Sequence, residues 1–116
     1  MMRMFVEPES VYLYRDYVDF RKAINGLAAL VELELDVSPK DGALFVFCNK
    51  AKNKLKILYW DRTGFALWQK RLEKAKFKWP SQHACETLEL NEQQLNWLLG
   101  GYDVIGHNPV SYRAVS

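Results

Sequence analysis

The stretch Asp19-Phe20-Arg21-Lys22-Ala23-Ile24-Asn25-Gly26-Leu27-Ala28-Ala29-Leu30-Val31-Glu32-Leu33-Glu34-Leu35 decides the fold. Its apolar residues Phe20, Ile24, Leu27, Ala28, Val31 and Leu35 recur at i, i+4, i+7, i+8, i+11 and i+15, the spacing of one helical face. A helix over residues 19–34 is therefore predicted, with Asp16 or Asp19 placed to accept the free amides of its first turn. Gly26 inside it costs about 1 kcal/mol relative to alanine. Close packing against a sheet is the expected reason for its presence.

On the C-terminal side, Ser38-Pro39-Lys40-Asp41-Gly42 concentrates turn-forming residues and ends the helix. Three segments of β-branched and aromatic character follow, at residues 43–48, 55–60 and 65–72. The polar loop of residues 49–53 separates the first two. Asp61-Arg62-Thr63-Gly64 separates the others, with Gly64 able to take a positive φ at little cost. On the N-terminal side, residues 10–14 read as a further short strand. Trp79-Pro80-Ser81 closes the β region, and no clear periodicity runs from there to Glu86. Asn91-Glu92-Gln93-Gln94 has the pattern of a capping box. It opens a short helix around Leu95, Trp97, Leu98 and Leu99 that is expected to stop in a left-handed conformation at Gly100-Gly101. The predicted fold is α+β: a small antiparallel β-sheet, a meander, packed with one long helix and a short C-terminal helix. With 116 residues the chain fits one domain spanning residues 1–116, since two halves would each be too small to bury a stable core.

Composition narrows the function. Hydrophobic residues make up 49% and charged residues 26%, near the globular average, which argues against a disordered chain. No apolar run approaches the ~20 residues that span a bilayer, so no membrane association is expected. The segment Met1-Met2-Arg3-Met4-Phe5-Val6-Glu7-Pro8 lacks the plan of a secretory signal, which points to the cytoplasm. Cys48 and Cys85 stand alone and read as reduced structural thiols. His83 and His107 are isolated, and neither a nucleophile elbow nor a phosphate-binding glycine loop is present. Asp16, Asp19, Asp61 and Glu73 are the carboxylates from which a metal-dependent nuclease would be built. Their turn and capping positions explain them more simply. No catalytic residue, metal ligand, cofactor or small-molecule substrate is assigned.

The charge distribution is uneven. Between Phe45 and Trp79 lie ten basic residues, Lys50, Lys52, Lys54, Lys56, Arg62, Lys70, Arg71, Lys74, Lys76 and Lys78, against the two acidic residues Asp61 and Glu73, a balance of +8. The remainder holds six basic and twelve acidic residues, a balance of −6, which leaves the net +2. Lysines and arginines that neutralise phosphates drive sequence-independent nucleic-acid binding, so these ten are the candidate nucleic-acid-binding residues. On their strand Lys54 and Lys56 point to one face while Leu55 and Ile57 point to the other, so the sheet is expected to turn lysines outward. The interleaved Trp60, Trp68, Trp79, Tyr59, Phe65 and Phe77 either stack on bases or fill the core. An ordinary solvated face is the competing reading of the lysines.

Three stretches carry a resemblance to a known family. They are residues 19–31, beginning Asp19-Phe20-Arg21-Lys22; residues 43–80, around Lys54-Leu55-Lys56-Ile57-Leu58-Tyr59-Trp60-Asp61-Arg62-Thr63-Gly64-Phe65; and residues 90–104, around Gln94-Leu95-Asn96-Trp97-Leu98-Leu99. Together they resemble the product of the second open reading frame, often called TnpB, of insertion sequence family 66. Ala23 and Ala75 stand where that family often has glycine, and lysines stand where it often has arginines, giving point charges in place of planar forks. The resemblance implies an accessory protein of bacterial transposition, encoded beside a separate transposase and without catalytic residues of its own. The transposase of the same element and DNA are the implied partners. Two roles stay open: non-specific DNA binding through the basic β-rich segment, or docking on the transposase as an assembly factor that does not touch DNA.

Overall fold

The computed structural model describes residues 10–35, 37–80 and 87–100. Among these residues five strands form one sheet: β1 (Val11–Tyr17), β2 (Leu44–Cys48), β3 (Lys54–Asp61), β4 (Gly64–Arg71) and β5 (Thr87–Leu90), in the order β4-β3-β2-β1-β5. The α+β class and the antiparallel meander β2-β3-β4 match the sequence expectation. The sheet is wider than that meander and it is mixed. β1 runs parallel to β2, with the helix as the crossover between them, and β5 adds antiparallel to the outer edge of β1.

The helix α1 (Ile24–Leu30) continues into a π-helical segment, Val31–Leu35. It begins later than the apolar spacing suggested, because neither aspartate caps it. The Asp19 carboxylate is taken by Arg21, and the N-cap position falls on Ala23, which offers no side-chain acceptor. The predicted apolar face is nevertheless the one that packs. Leu27, Ala28 and Val31 are buried against Tyr14, Phe45, Phe47 and Leu58 of the sheet, with Phe20, Ile24 and Leu35 at the margin. Gly26 does not lie against the sheet. A Cβ there would meet the Cβ of Lys22 at 3.1 Å, so the glycine relieves crowding with the turn before it.

The second face of the sheet is covered as well. α2 (Glu92–Leu99) and the strap leading to Trp79 pack Phe77, Trp79, Leu95, Leu98 and Leu99 over Val11, Leu13, Val46, Leu55 and Ile57. The Trp79 indole donates to the carbonyl of Arg15 at 2.9 Å and pins the strap to β1. All five residues of β2 are buried, as a strand covered on both faces requires. The capping box of α2 forms as read, with the Asn91 side chain accepting from the Gln94 amide at 2.7 Å and Gln94 Oε1 accepting from the Asn91 amide at 3.0 Å. At its C-terminus Gly100 is right-handed, with φ −82°, and Gly101, the other glycine of the expected stop, lies outside the described residues. At the β3–β4 turn the positive φ falls on Arg62 and not on Gly64.

Candidate nucleic-acid interface

The ten candidate basic residues do not share one surface. Seven of them, Lys50, Lys52, Lys54, Arg71, Lys74, Lys76 and Lys78, gather at one end of the sheet and on the strap beside it, and the backbone shows why. The Asn49 side chain organises the β2–β3 loop, its Oδ1 accepting from the amides of Asn53 at 3.1 Å and Lys54 at 3.0 Å. Lys52 occupies the left-handed region at φ 63°. At the adjoining end of β4, Arg71 stands directly opposite Lys54. The chain then doubles back along the loop, the amide of Leu72 donating to Asn53 O at 2.8 Å and that of Phe77 to Lys52 O at 2.7 Å. This lays Lys74, Lys76 and Lys78, all exposed, alongside Lys50 and Lys52.

The other three candidates are placed elsewhere. Lys56 is only 7% exposed. Its ammonium donates to the carbonyls of Phe20 at 3.1 Å and Lys22 at 2.9 Å and lies 4.7 Å from the centroid of the Phe20 ring. The expectation that Lys56 points outward beside Lys54 is therefore corrected: the segment before α1 folds over that position. Burial, helped by the charge of Lys54, lowers the Lys56 pKa from its ordinary value. Lys70 is turned onto α2, donating to Leu99 O at 2.7 Å. Arg62 is exposed in the β3–β4 turn at the opposite end of the sheet.

Acidic residues do occur at the basic end, but arginines hold them. Arg21 meets Asp19 at 2.6 Å, Arg71 meets Glu73 at 2.9 Å and Arg15 meets Asp16 at 3.6 Å. The Arg21 guanidinium, hydrogen-bonded to Asp19, holds that carboxyl down at about 2, so it remains an anion already engaged. Among the described residues no carboxylate forms an ion pair with Lys50, Lys52, Lys54, Lys74, Lys76 or Lys78. Six ammonium groups at one end, none ion-paired among the described residues, produce a positive field that attracts polyanions.

The aromatic residues divide. Phe77 and Trp79 are core, and Trp68 and Tyr59 pack against it. Trp60 and Phe65 meet edge to face at 5.0 Å beside the β3–β4 turn, with the Lys40 ammonium 5.0 Å from the Trp60 ring centroid. Sequence reading missed Tyr17, which is 40% exposed at the end of β1. It lies outside the segment of charge excess that drew attention, and only the pairing of β1 with β2 brings it there. Among the described residues no three His, Cys, Asp or Glu side chains gather as a metal site would require. Among the same residues no helix is long and apolar enough to cross a membrane. Cys85, His83 and His107 lie outside the described residues.

Comparison with known proteins gives the family. The chain is 34% identical over 93 residues to the uncharacterized protein y4hO of Sinorhizobium fredii (strain NBRC 101917 / NGR234), covering 80% of each chain. It is 38% identical over 86 residues to the uncharacterized protein y4jC of the same strain, covering 74% of this chain and 73% of that one. No solved structure matches. The family model described as IS66 Orf2 like protein matches residues 9–108, a span that takes in all five strands, both helices and the whole basic end; the chain belongs to this family of insertion-sequence accessory proteins.

Proposed function

We propose that the protein serves the transposition of its element by holding nucleic acid through the phosphate backbone, without chemistry of its own. The observation that carries this reading is the gathering of Lys50, Lys52, Lys54, Lys74, Lys76 and Lys78 at one end with no described carboxylate paired to them. Contacts to phosphates position a protein on its ligand without reading sequence, so binding is expected to be tolerant of sequence. If about four to six phosphates are neutralised, affinity for duplex DNA falls with salt at a log–log slope of about −4 to −5 by counterion release. Lys54→Glu combined with Lys74→Glu, both away from the core, lowers affinity for all sequences alike and reduces that slope by about 2. A protein with no salt-dependent DNA binding at low ionic strength refutes the reading.

A second reading, docking on the element's transposase, draws support from Leu33. This side chain is 83% exposed on the π-helical segment, between the exposed Glu32 and Glu34. A large apolar group in water with an acidic rim suits a protein contact. Co-purification with the transposase that Leu33→Glu abolishes, while DNA affinity stays at zero for wild type and variant, favours this reading over the first.

A further inference from the structure

A cleft of 690 Å³ opens at the carboxyl ends of the two parallel strands, lined by Tyr17, Val18, Asp19, Phe20, Arg21, Asn49, Lys50, Ala51 and Lys54. We infer that it receives one unpaired nucleotide of a single strand, the phosphate held by Lys50 and Lys54 and the base stacked on Tyr17. The inference rests on the nucleic-acid reading above and adds to it a preference for single strands.

Topology makes the cleft. It lies beyond the carboxyl ends of β1 and β2, where β1 leads into the α1 crossover and β2 into the hairpin to β3. β1 and β2 pair from Val11↔Leu44 to Leu13↔Val46 and meet again only at Tyr17↔Cys48, so β1 carries two extra residues before the ladder resumes. Such an irregularity re-aims the side chain that follows it. Here it is followed by Tyr17, half-exposed at the lip of the cleft while Val18 beside it is buried. The Val18 amide donates to Cys48 O at 2.9 Å and fixes the strand there.

The lining has the chemistry of a nucleotide. Lys50 and Lys54 supply two cations, while Arg21 is held at 2.6 Å by Asp19, the only acid among the described lining residues. Outside the lining, the Lys52 ammonium lies over the Tyr17 ring, 5.8 Å from its centroid, so a base that stacks there displaces this long, flexible side chain toward the phosphate. The volume falls within the range of roughly 300–1,000 Å³ typical of small-molecule pockets. A duplex offers the cleft no base, because its bases are paired inside the backbone. An unpaired strand offers one, and stacking on an aromatic side chain is indifferent to which base it is.

The test measures fluorescence anisotropy of the full chain with a labelled thymidylate dodecamer and with a duplex of equal length, at low salt. The single strand is expected to bind more tightly than the duplex. Tyr17→Ala should weaken single-strand binding about tenfold and leave duplex binding within about twofold, while Tyr17→Phe, which keeps the ring, retains both. Equal affinity for the two ligands, or equal loss on both in Tyr17→Ala, overturns the inference and leaves backbone binding standing. Single-strand binding with no duplex binding supports the cleft and defeats the duplex reading. Absence of binding to either defeats both.

Discussion

The ammonium of Lys70, on the edge strand β4, donates to the carbonyl of Leu99, the last residue of α2, at 2.7 Å. A positive charge at the C-terminus of a helix opposes the partial negative charge of its unpaired carbonyls. Lys70→Ala should therefore destabilise the fold by about 1–2 kcal/mol, read from the urea midpoint. The same substitution should leave the salt slope of DNA binding unchanged, because this lysine is directed at protein. A slope reduced as much as by Lys54→Glu would contradict that assignment.

Lys56 makes the opposite point about its neighbour Lys54. Replacing Lys56 by methionine, similar in length and apolar, strips a donor from the carbonyls of Phe20 and Lys22 and is expected to cost about 1–3 kcal/mol. Lys56→Glu sets an anion against those two oxygens and should cost more than about 4 kcal/mol, enough to unfold a marginal domain. Thermal unfolding separates the two variants from Lys54→Glu, which should melt close to wild type.

Cys48 is fully buried in β2, and desolvation pushes its thiol from an ordinary value of 9.0 up to about 12. The unfolded chain thus releases the Cys48 proton at lower pH than the native chain. Between those two values the native state binds more protons, and this group makes stability fall as pH rises, by about 1.4 kcal/mol per pH unit at most. Lys56, with its pKa lowered, works in the opposite sense at the alkaline end, so wild type should be compared with Cys48→Ala, in which only the thiol contribution is lost. Alkylation mapped by peptide should leave Cys48 unmodified in the native protein and modified in denaturant. Native labelling at Cys48 would show that β2 opens.

Asn91 closes the capping box of α2, and α2 covers one face of the sheet. Asn91→Ala should cost about 1 kcal/mol. Asn91→Asp keeps the acceptor and should restore wild-type stability, a difference that denaturant titration resolves.

What the sequence disclosed follows the range of each interaction. The face of α1 was legible in the spacing of Leu27, Ala28 and Val31, and the meander in runs of β-forming residues separated by turn residues. The cap at Asn91 was legible because its partner Gln94 is three residues away. The parallel pairing of β1 with β2 and the addition of β5 join residues far apart in the chain, and the four residues at 87–90, although they alternate polar and apolar, are too few to announce a strand. Part of the candidate interface was visible as a charge excess. The separation of Lys56 and Lys70 from the rest was not, since a lysine that caps a carbonyl and one that faces water look alike in sequence. Asp19 was misread because Arg21, two residues on, competes for the carboxylate that a helix cap would need.

The placement of β1 between β2 and β5 has a consequence for biosynthesis. During synthesis β1 finds its inner partner at residues 44–48 and its outer partner only at residues 87–90. Until residues 87–90 have been translated, one side of β1 lacks the partner it has in the folded chain, next to the apolar surface that α2 later covers. A message cut short before codon 87 therefore yields an open sheet prone to pair with other chains.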